Sequence, residues 1–298
     1  MSNLYSHQDS NVWRTWALMA AFLALVVAIG WAISYYYQDP GIMVIAVVFA
    51  IFMNIFSFWF SDKIVLKLHK AKLATREEYF DLYNITENLS IAAGLPMPKL
   101  YVIDDPSPNA FATGRSKNKA VVAVTTGLLN ILDRSELEGV VAHELAHIGN
   151  RDILLATVAV VLAGFISLAA DFFLRSHIFG GSRDNNRGGG ILMIVGIVLV
   201  VLAPIFATLI RLAISRRREF LADATGALLT RYPEGLANAL KKISLSSSAR
   251  PMQTAHDATS HLFIANPFGA KKLSGLHKLF MTHPPTEERI HALMSSNV

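Results

Sequence analysis

The segment HELAH at residues 143–147 carries the clearest chemical signal in the chain. His143 and His147 are four residues apart, and on an α-helix this spacing places both imidazoles on one face, roughly 6 Å apart, where they can bind one metal ion. Glu144 projects about 100° around the helix from His143, beside the metal, where a general base is needed. A chance match is expected roughly 0.01 times in a chain of this composition, so the pattern is informative.

The residues around the motif predict a helix. Ser135 followed three residues later by Glu138 has the form of a capping box at a helix N-terminus. Apolar residues then recur with helical spacing, at Leu137, Val140, Val141, Leu145 and Ile148. Gly149 and Asn150 predict the end of the helix. The motif is therefore expected on a helix, as its chemistry requires.

A catalytic zinc site needs a third protein ligand and one position left open for water. Glu219, in the segment RREFLAD, is the candidate, and Asp223 follows four residues later on the same predicted helix face. Asp223 could accept a hydrogen bond from a ligand histidine and orient it. Alternatively, Glu219 pairs with a neighbouring arginine on a solvated face, and the spacing alone leaves both interpretations open.

The composition predicts an integral membrane protein. Apolar residues make up 53% of the 298 residues and charged residues 16%, whereas soluble domains average about 25% charged residues. The excess lies in four long apolar stretches, at residues 16–37, 42–60, 153–170 and 191–210. Each has the length of about 17–25 residues that crosses a bilayer core, so four hydrophobic helices are expected.

Basic residues predict how the chain is oriented. Five follow the second stretch between residues 63 and 76, and four follow the fourth stretch between residues 211 and 218, whereas the turn at 38–41 has none. By the positive-inside rule the polar segments face the cytoplasm of a bacterial-type inner membrane. The second pair of stretches has weaker support as a crossing, because Asp171 lies near the end of the third stretch and three arginines lie within residues 175–190.

The chain divides into four segments: a transmembrane hairpin (1–60), a first half of the catalytic domain (61–152), a second hydrophobic pair (153–210) and a second half (211–298). The two polar halves together have about the length of one domain. Helices are predicted at 76–92 and 286–294, strands at 99–104 and 119–125, and an extended segment NAFATG between the strands. The expected fold class is α+β and predominantly helical, with a zincin-like catalytic domain beside the membrane helices.

HELAH, the downstream REFLAD, the upstream NAFATG and the C-terminal MTHPPTEERI occur in an order that resembles the HtpX family of membrane zinc metalloproteases. That family is related to the CAAX prenyl proteases and is of the gluzincin type. The resemblance implies one Zn²⁺ held by His143, His147 and Glu219, with Glu144 as the catalytic base. It also implies an endopeptidase that cleaves membrane or membrane-proximal proteins in protein quality control.

The same resemblance implies further candidates. His283 and Arg289 are expected to approach the metal or the tetrahedral intermediate. A substrate strand is expected to pair with the segment formed by Asn109, Ala110, Phe111 and Ala112. The other seven histidines, His7, His69 and His177 among them, show no ligand spacing and are expected at the surface or in interfaces.

Several alternatives differ from this interpretation in testable ways. A CAAX-type prenyl-peptide protease would carry more membrane spans, and a di-iron oxidase would need more clusters of His and carboxylate ligands. A membrane adaptor with a vestigial metal site would not need to retain the general base. Nucleic-acid binding is not predicted, because the basic residues lie at membrane ends. The absence of cysteine excludes disulfides, thiolate metal ligands and cysteine nucleophiles.

Overall fold

The computed structural model of the chain describes residues 4–179, 216–269 and 284–295. A long apolar hairpin is formed by α1 (Leu4–Tyr37) and α2 (Pro40–Leu68). The hairpin turns at Gln38, where φ is 55°, and Asp39 caps α2 by accepting a hydrogen bond from the N–H of Gly41. Pro40 then occupies the first turn of α2, where its missing N–H costs nothing.

Both hairpin helices are long and apolar enough to cross a membrane. Their most apolar windows have mean hydropathies of 2.3 and 2.5, and 22% of each window is buried inside the protein. An apolar surface that is left uncovered to this extent is suited to lipid rather than to water. The first two predicted spans are confirmed as helices of this kind.

The third predicted span begins α6 (Asp152–Phe179). It meets the length and hydropathy criteria only together with the preceding helix, from which it is bent by 83°. Its first turns are covered by protein, because Leu155, Val158 and Leu162 pack against the hairpin. The fourth stretch, 191–210, lies outside the described residues. Within the described ranges there are two helices able to cross, or three if the bent pair is one span, so the prediction of four is not confirmed.

A four-stranded sheet has the order β1-β2-β4-β3. Its strands are β1 (Lys72–Leu73), β2 (Lys99–Ile103), β3 (Ala110–Gly114) and β4 (Ala120–Thr125). β2 and β4 are parallel, whereas β3 pairs antiparallel with β4 in a register that sets Ala112 opposite Val122. The two predicted strands are confirmed to within one residue, and the extended NAFATG segment forms the third strand at the edge of the sheet.

The polar helices are α3 (Phe80–Ala93), α4 (Thr126–Ile131), α5 (Arg134–Gly149), α7 (Arg216–Thr230), α8 (Pro233–Ala249) and α9 (Thr286–Ser295). α5 carries the HELAH motif, and its apolar residues lie in the main hydrophobic core, between the sheet and the polar helices. Its predicted cap at Ser135 is wrong by two residues. Asp133 has the extended N-cap conformation, accepts from the N–H of Glu136 at 3.0 Å, and donates its own N–H to the Glu136 carboxylate at 2.9 Å.

Glycines allow the neighbouring helices to approach α5 closely. A Cβ on Gly139 would lie 2.6 Å from the backbone of Leu236 in α8, and a Cβ on Gly226 would lie 3.1 Å from the backbone nitrogen of His143. α7 therefore packs directly against the helix that carries the motif, which brings Glu219 and Asp223 into reach of its histidines. The four predicted segment boundaries remain predictions.

Candidate metal centre

Three side chains converge between α5 and α7. The Nε2 atoms of His143 and His147 lie 3.2 Å apart. The carboxylate oxygens of Glu219 lie 3.6 Å from Nε2 of His147 and 3.9 Å from Nε2 of His143. His143 and Glu219 are almost fully buried, and the side chain of His147 is 16% exposed. The structure thus brings together the two histidines and the carboxylate that the sequence singles out.

This cluster fits a small divalent cation. Ligand atoms placed tetrahedrally at zinc distances of about 2.0–2.1 Å lie about 3.4 Å from one another. The three separations in the protein bracket that value, and the donor atoms lie within 4.8 Å of one another. Two imidazoles and one carboxylate are also the donor set of one of the known types of catalytic zinc site. The cluster is a possible metal site.

Glu144 and the cluster share a small cavity. Glu144, His147 and Glu219 line it together with Ala112 of β3 and His261 from a 3₁₀ turn at Asp257–Leu262. Its volume is about 40 Å³, which admits water, since one water needs roughly 10–15 Å³. Glu144 is buried and lines this cavity, so a base at this position could act on a water bound there.

His143 is held from behind by a buried carboxylate. Its Nδ1 lies 2.9 Å from Asp223, and Asp223 takes two hydrogen bonds from Arg289 of α9, at 2.6 and 2.8 Å. All three side chains are at most 2% exposed. The i,i+4 spacing of Glu219 and Asp223 on α7 lets one helix supply both the carboxylate of the candidate metal cluster and the carboxylate behind His143.

His147 is held in the same way by Asp152, a residue that sequence reasoning did not assign. Its Nδ1 lies 3.0 Å from Asp152, the first residue of α6. Five residues along a straight helix would put the two side chains on different faces. The chain turns between α5 and α6 at Arg151, where φ is 59°, and this turn folds Asp152 back onto His147. The one feature of the sequence that could have pointed to Asp152 is that it is a single carboxylate directly before the apolar stretch 153–170.

Burial and the two carboxylates act differently on the two histidines. Burial lowers the pKa of His143, and the bond to Asp223 offsets this only in part. Burial also acts to lower the pKa of His147, but Asp152 and Glu219 outweigh it and raise that pKa. The pKa of Asp223 is lowered to about 2, because the bonds from Arg289 and His143 outweigh the opposing effect of burial. In a neutral ring, an Nδ1–H donated to Asp223 or to Asp152 would leave the Nε2 lone pair available to a metal ion on the side of Glu219.

Comparison with known proteins places the chain in a family. The model of peptidase family M48 matches residues 77–297. The chain belongs to peptidase family M48. The protein named Protease HtpX homolog of Thermoanaerobacter pseudethanolicus is 47% identical over 98% of this chain and 97% of its own length. The protein of the same name from Pyrococcus furiosus is 49% identical over 94% of both chains. The resemblance to the HtpX family is confirmed.

This M48 peptidase is a membrane-bound metalloprotease of a zinc-dependent family, and it acts on peptides or proteins. A solved structure of Ste24p from S. mikatae has a TM-score of 0.53 and 20% sequence identity, and the match covers 96% of this chain and 66% of that one. At that identity the likeness shows the fold alone. The HtpX interpretation therefore has better support than the CAAX-type alternative or a non-catalytic adaptor.

The remaining residues that the sequence suggests for the site of the M48 protease do not all lie at the metal cluster. Arg289 contacts Asp223 and also lies 3.5 Å from the ring nitrogens of His143, whereas His283 lies outside the described residues. Of the β3 segment, Ala112 faces the cavity. Asn109 bonds to the backbone of Ala265.

The other two candidates of this segment, Ala110 and Phe111, contact residues of the protein core. The carbonyl of Ala110 accepts from the N–H of Ile264 at 3.0 Å. The ring of Phe111 packs edge-on against Phe263 in the core.

Two further histidines are not at the surface, contrary to expectation. His69, just past the end of α2, is fully buried between Thr254 and Thr259. His261 is 4% exposed and lines the cavity beside the metal cluster. Neither has ligand spacing with the motif, so sequence patterns did not indicate their burial.

Proposed function

We propose that the M48 protease holds one zinc ion per chain with His143, His147 and Glu219, and that Glu144 is its catalytic base. The observation that carries this proposal is the set of separations of 3.2–3.9 Å among the two histidine Nε2 atoms and the two carboxylate oxygens of Glu219, next to a cavity that is large enough for water and is lined by Glu144. When bound there, zinc supplies a Lewis acid that lowers the pKa of water and polarises a peptide carbonyl.

The residues of the chain then divide the remaining work. Glu144 accepts the proton of the attacking water and passes it to the leaving nitrogen of the cleaved peptide bond. Asp223 and Asp152 hold the Nδ1–H groups and so fix which ring nitrogen each histidine presents. Arg289 is engaged by Asp223, so we assign it to holding His143 in place. His283 remains a candidate, from the family resemblance, for a contact to the developing oxyanion.

The edge of β3 is the proposed site for the substrate backbone. Asn109 directs its carbonyl toward Thr125 of β4, and alternate residues of an antiparallel strand direct their polar groups to opposite sides. Ala110 and Ala112 therefore face the free edge. Ile264 already occupies the carbonyl of Ala110, which leaves Ala112, beside Glu144, as the position where a substrate strand would pair.

The proposed substrates are cytoplasmic, membrane-proximal segments of membrane proteins, including damaged ones. Asp152, where α6 begins, lies only five positions after His147, and at 1.5 Å per helical residue this is a rise of about 8 Å, so the metal would lie on the order of 10 Å from the start of α6. The Lys and Arg residues that follow the apolar stretches support a multi-pass protein of a bacterial-type inner membrane whose catalytic domain faces the cytoplasm.

The assignment of base and ligands is tested with three purified variants. Glu144→Gln should keep zinc and reduce casein cleavage about 10²–10⁴-fold, because only the proton transfer is removed. Glu219→Ala should lose zinc and activity together. Glu138→Gln, an exposed carboxylate on the same helix, should match the wild type. Full turnover by Glu144→Gln, or full zinc content in Glu219→Ala, would refute the assignment.

Proximity to the membrane is tested with one cleavage sequence in two forms. The sequence is supplied as a free peptide and as the same peptide fused to a membrane helix in the proteoliposomes that carry the protease. The tethered form should be cleaved faster at equal bulk concentration, because the bilayer confines it near the metal. Equal rates for the two forms would count against membrane-proximal substrates.

A further inference from the structure

A buried amide on the first membrane helix contacts the carboxylate behind His147. Asn11 lies at the start of the apolar part of α1 and is 3% exposed. Its Nδ2 donates to Asp152 at 2.7 Å and to the carbonyl of Asn150 at 3.0 Å. Its Oδ1 accepts from Arg218 of α7 at 3.2 Å. Both amide hydrogens and the amide oxygen of Asn11 are thus in use.

Asp152 divides its two oxygens between two sets of partners. Oδ2 faces Nδ1 of His147 at 3.0 Å. Oδ1 accepts from Asn11 at 2.7 Å and from Arg218 at 3.3 Å. Donors on Oδ1 fix the plane of the carboxylate, and that plane determines the direction of the bond to His147. Of these two hydrogen bonds to Oδ1, the one from Asn11 is the shorter.

An amide satisfies all of these positions at once. An aspartate at position 11 would place a second carboxylate against Asp152, and an alanine would leave Arg218 as the one donor to Oδ1 within the described part of the chain. The bond to the carbonyl of Asn150 also holds the end of α5, the turn that brings Asp152 to His147. Asn11 therefore fixes both the carboxylate and the turn that carries it.

We propose that Asn11 is a positioning residue for the metal site, acting on His147 through Asp152, so that the transmembrane hairpin forms part of the support of the site. The inference rests on the proposed function of His147 as a zinc ligand. It assigns to α1 a role beyond membrane anchoring. The packing of Leu18 and Phe22 of α1 against Leu155 and Val158 of α6 holds the same two elements together about two to three turns further along α1.

The test uses the full chain in detergent with Asn11→Ala and Asn11→Gln, and Asn54→Ala as the matched control. Asn54 is a partly buried amide on α2 that bonds within its own helix. Zinc dissociation constants are measured by chelator competition, and kcat and KM with a soluble peptide. For Asn11→Ala we expect zinc to bind about 3- to 30-fold more weakly and kcat to fall by a similar factor, with KM within about twofold of the wild type. Asn11→Gln should recover part of the loss, since its amide offers the same groups.

A double-mutant cycle with Asp152→Asn keeps the proposal falsifiable if a single variant is unstable. If Asn11 acts through Asp152, the losses in zinc affinity of Asn11→Ala and Asp152→Asn will not multiply in the double variant. Fully multiplicative losses would overturn the proposal, as would wild-type zinc affinity and kcat in both Asn11 variants. An Asn11→Ala variant that fails to fold shifts the decision to Asn11→Gln and the cycle built on it.

The proposed function is tested separately in the same assays. If Glu144→Gln is active or Glu219→Ala retains zinc, the function assignment fails. If those two variants behave as expected while Asn11→Ala matches Asn54→Ala, only the role of Asn11 is refuted.

Discussion

The two histidines of the HELAH motif are supported by the same kind of arrangement, but the two copies are anchored in different parts of the molecule. Behind His143, Asp223 takes two bonds from Arg289 of α9, all within the polar domain. Behind His147, Asp152 takes one bond from Arg218 and one from Asn11 on the membrane helix α1.

The difference concerns both strength and location. The bonds of Arg289 to Asp223, at 2.6 and 2.8 Å, form a bidentate pair of the kind that adds energy and directional specificity. Arg218 contacts Asp152 through one nitrogen at 3.3 Å. Among the described residues, His143 is therefore held by groups of the polar domain, whereas the position of His147 depends on how that domain packs against the membrane hairpin.

Removing Arg289 should disrupt the arrangement behind His143, which is the stronger of the two, and should lower the stability of the protein more than any other change considered below. Arg289→Met leaves the buried charge of Asp223 without its partner, and such a change costs about 3–5 kcal/mol. We expect a large fall in the free energy of unfolding in detergent and loss of zinc, measured by denaturant titration and metal analysis. Arg134→Met, which removes only exposed ion pairs, should change stability by less than about 1 kcal/mol. Equal stability of the two variants would show that the buried pair does not support the domain.

Neutralising the two carboxylates in turn compares the two arrangements directly. Asp223→Asn and Asp152→Asn each keep an oxygen for the histidine but lose the charge, and partners of this kind contribute 10–100-fold in zinc affinity. We expect about 100-fold weaker zinc binding for Asp223→Asn, which also leaves Arg289 unpaired, and about 10-fold for Asp152→Asn. Asp81→Asn, at an exposed carboxylate, serves as control. The opposite order of effects would contradict the comparison.

His69 is a buried histidine whose described hydrogen-bond partners include no carboxylate, which distinguishes it from His143 and His147. Its ring lies between Thr254 and Thr259 and packs against Phe263. Burial, together with the nearby charge of His256, lowers its pKa from 6.5 to about 4.

The unfolded chain therefore binds this proton at a higher pH than the folded chain. The stability that His69 contributes is present above pH 6.5 and is lost as the pH falls from 6.5 toward 4, by on the order of 3 kcal/mol at most. His69→Gln keeps a hydrogen-bonding side chain that does not titrate. Its free energy of unfolding should fall less steeply over this interval than that of the wild type, and parallel curves would rule out a titrating, buried His69.

Sequence reasoning reached those parts of the site that depend on local spacing. The i,i+4 spacing of the two histidines, and of Glu219 and Asp223, indicated in advance which side chains share a helix face. The cap of α5 was misplaced because Asp133–Glu136 and Ser135–Glu138 both have the required spacing, and only the backbone of Asp133 decides between them. The contact of Asn11 with Asp152 spans 141 positions, and no local pattern encodes it.

The smallest expected effect concerns the turn between α5 and α6. Asp223 reaches its histidine along one regular helix, but Asp152 reaches His147 only because Arg151 adopts φ of 59°. A non-glycine residue in this left-handed conformation costs about 1 kcal/mol or more. Arg151→Gly removes that strain together with the side chain, so the informative comparison is with Arg151→Ala, which lacks the side chain and keeps the strain. The greater freedom of glycine in the unfolded chain offsets part of the gain. We expect Arg151→Gly to be more stable than Arg151→Ala by about 1 kcal/mol in denaturant unfolding. If alanine is the more stable of the two, the left-handed turn is not a strained element that the site requires, and the Asp152 arrangement would be as easily formed as the one at Asp223.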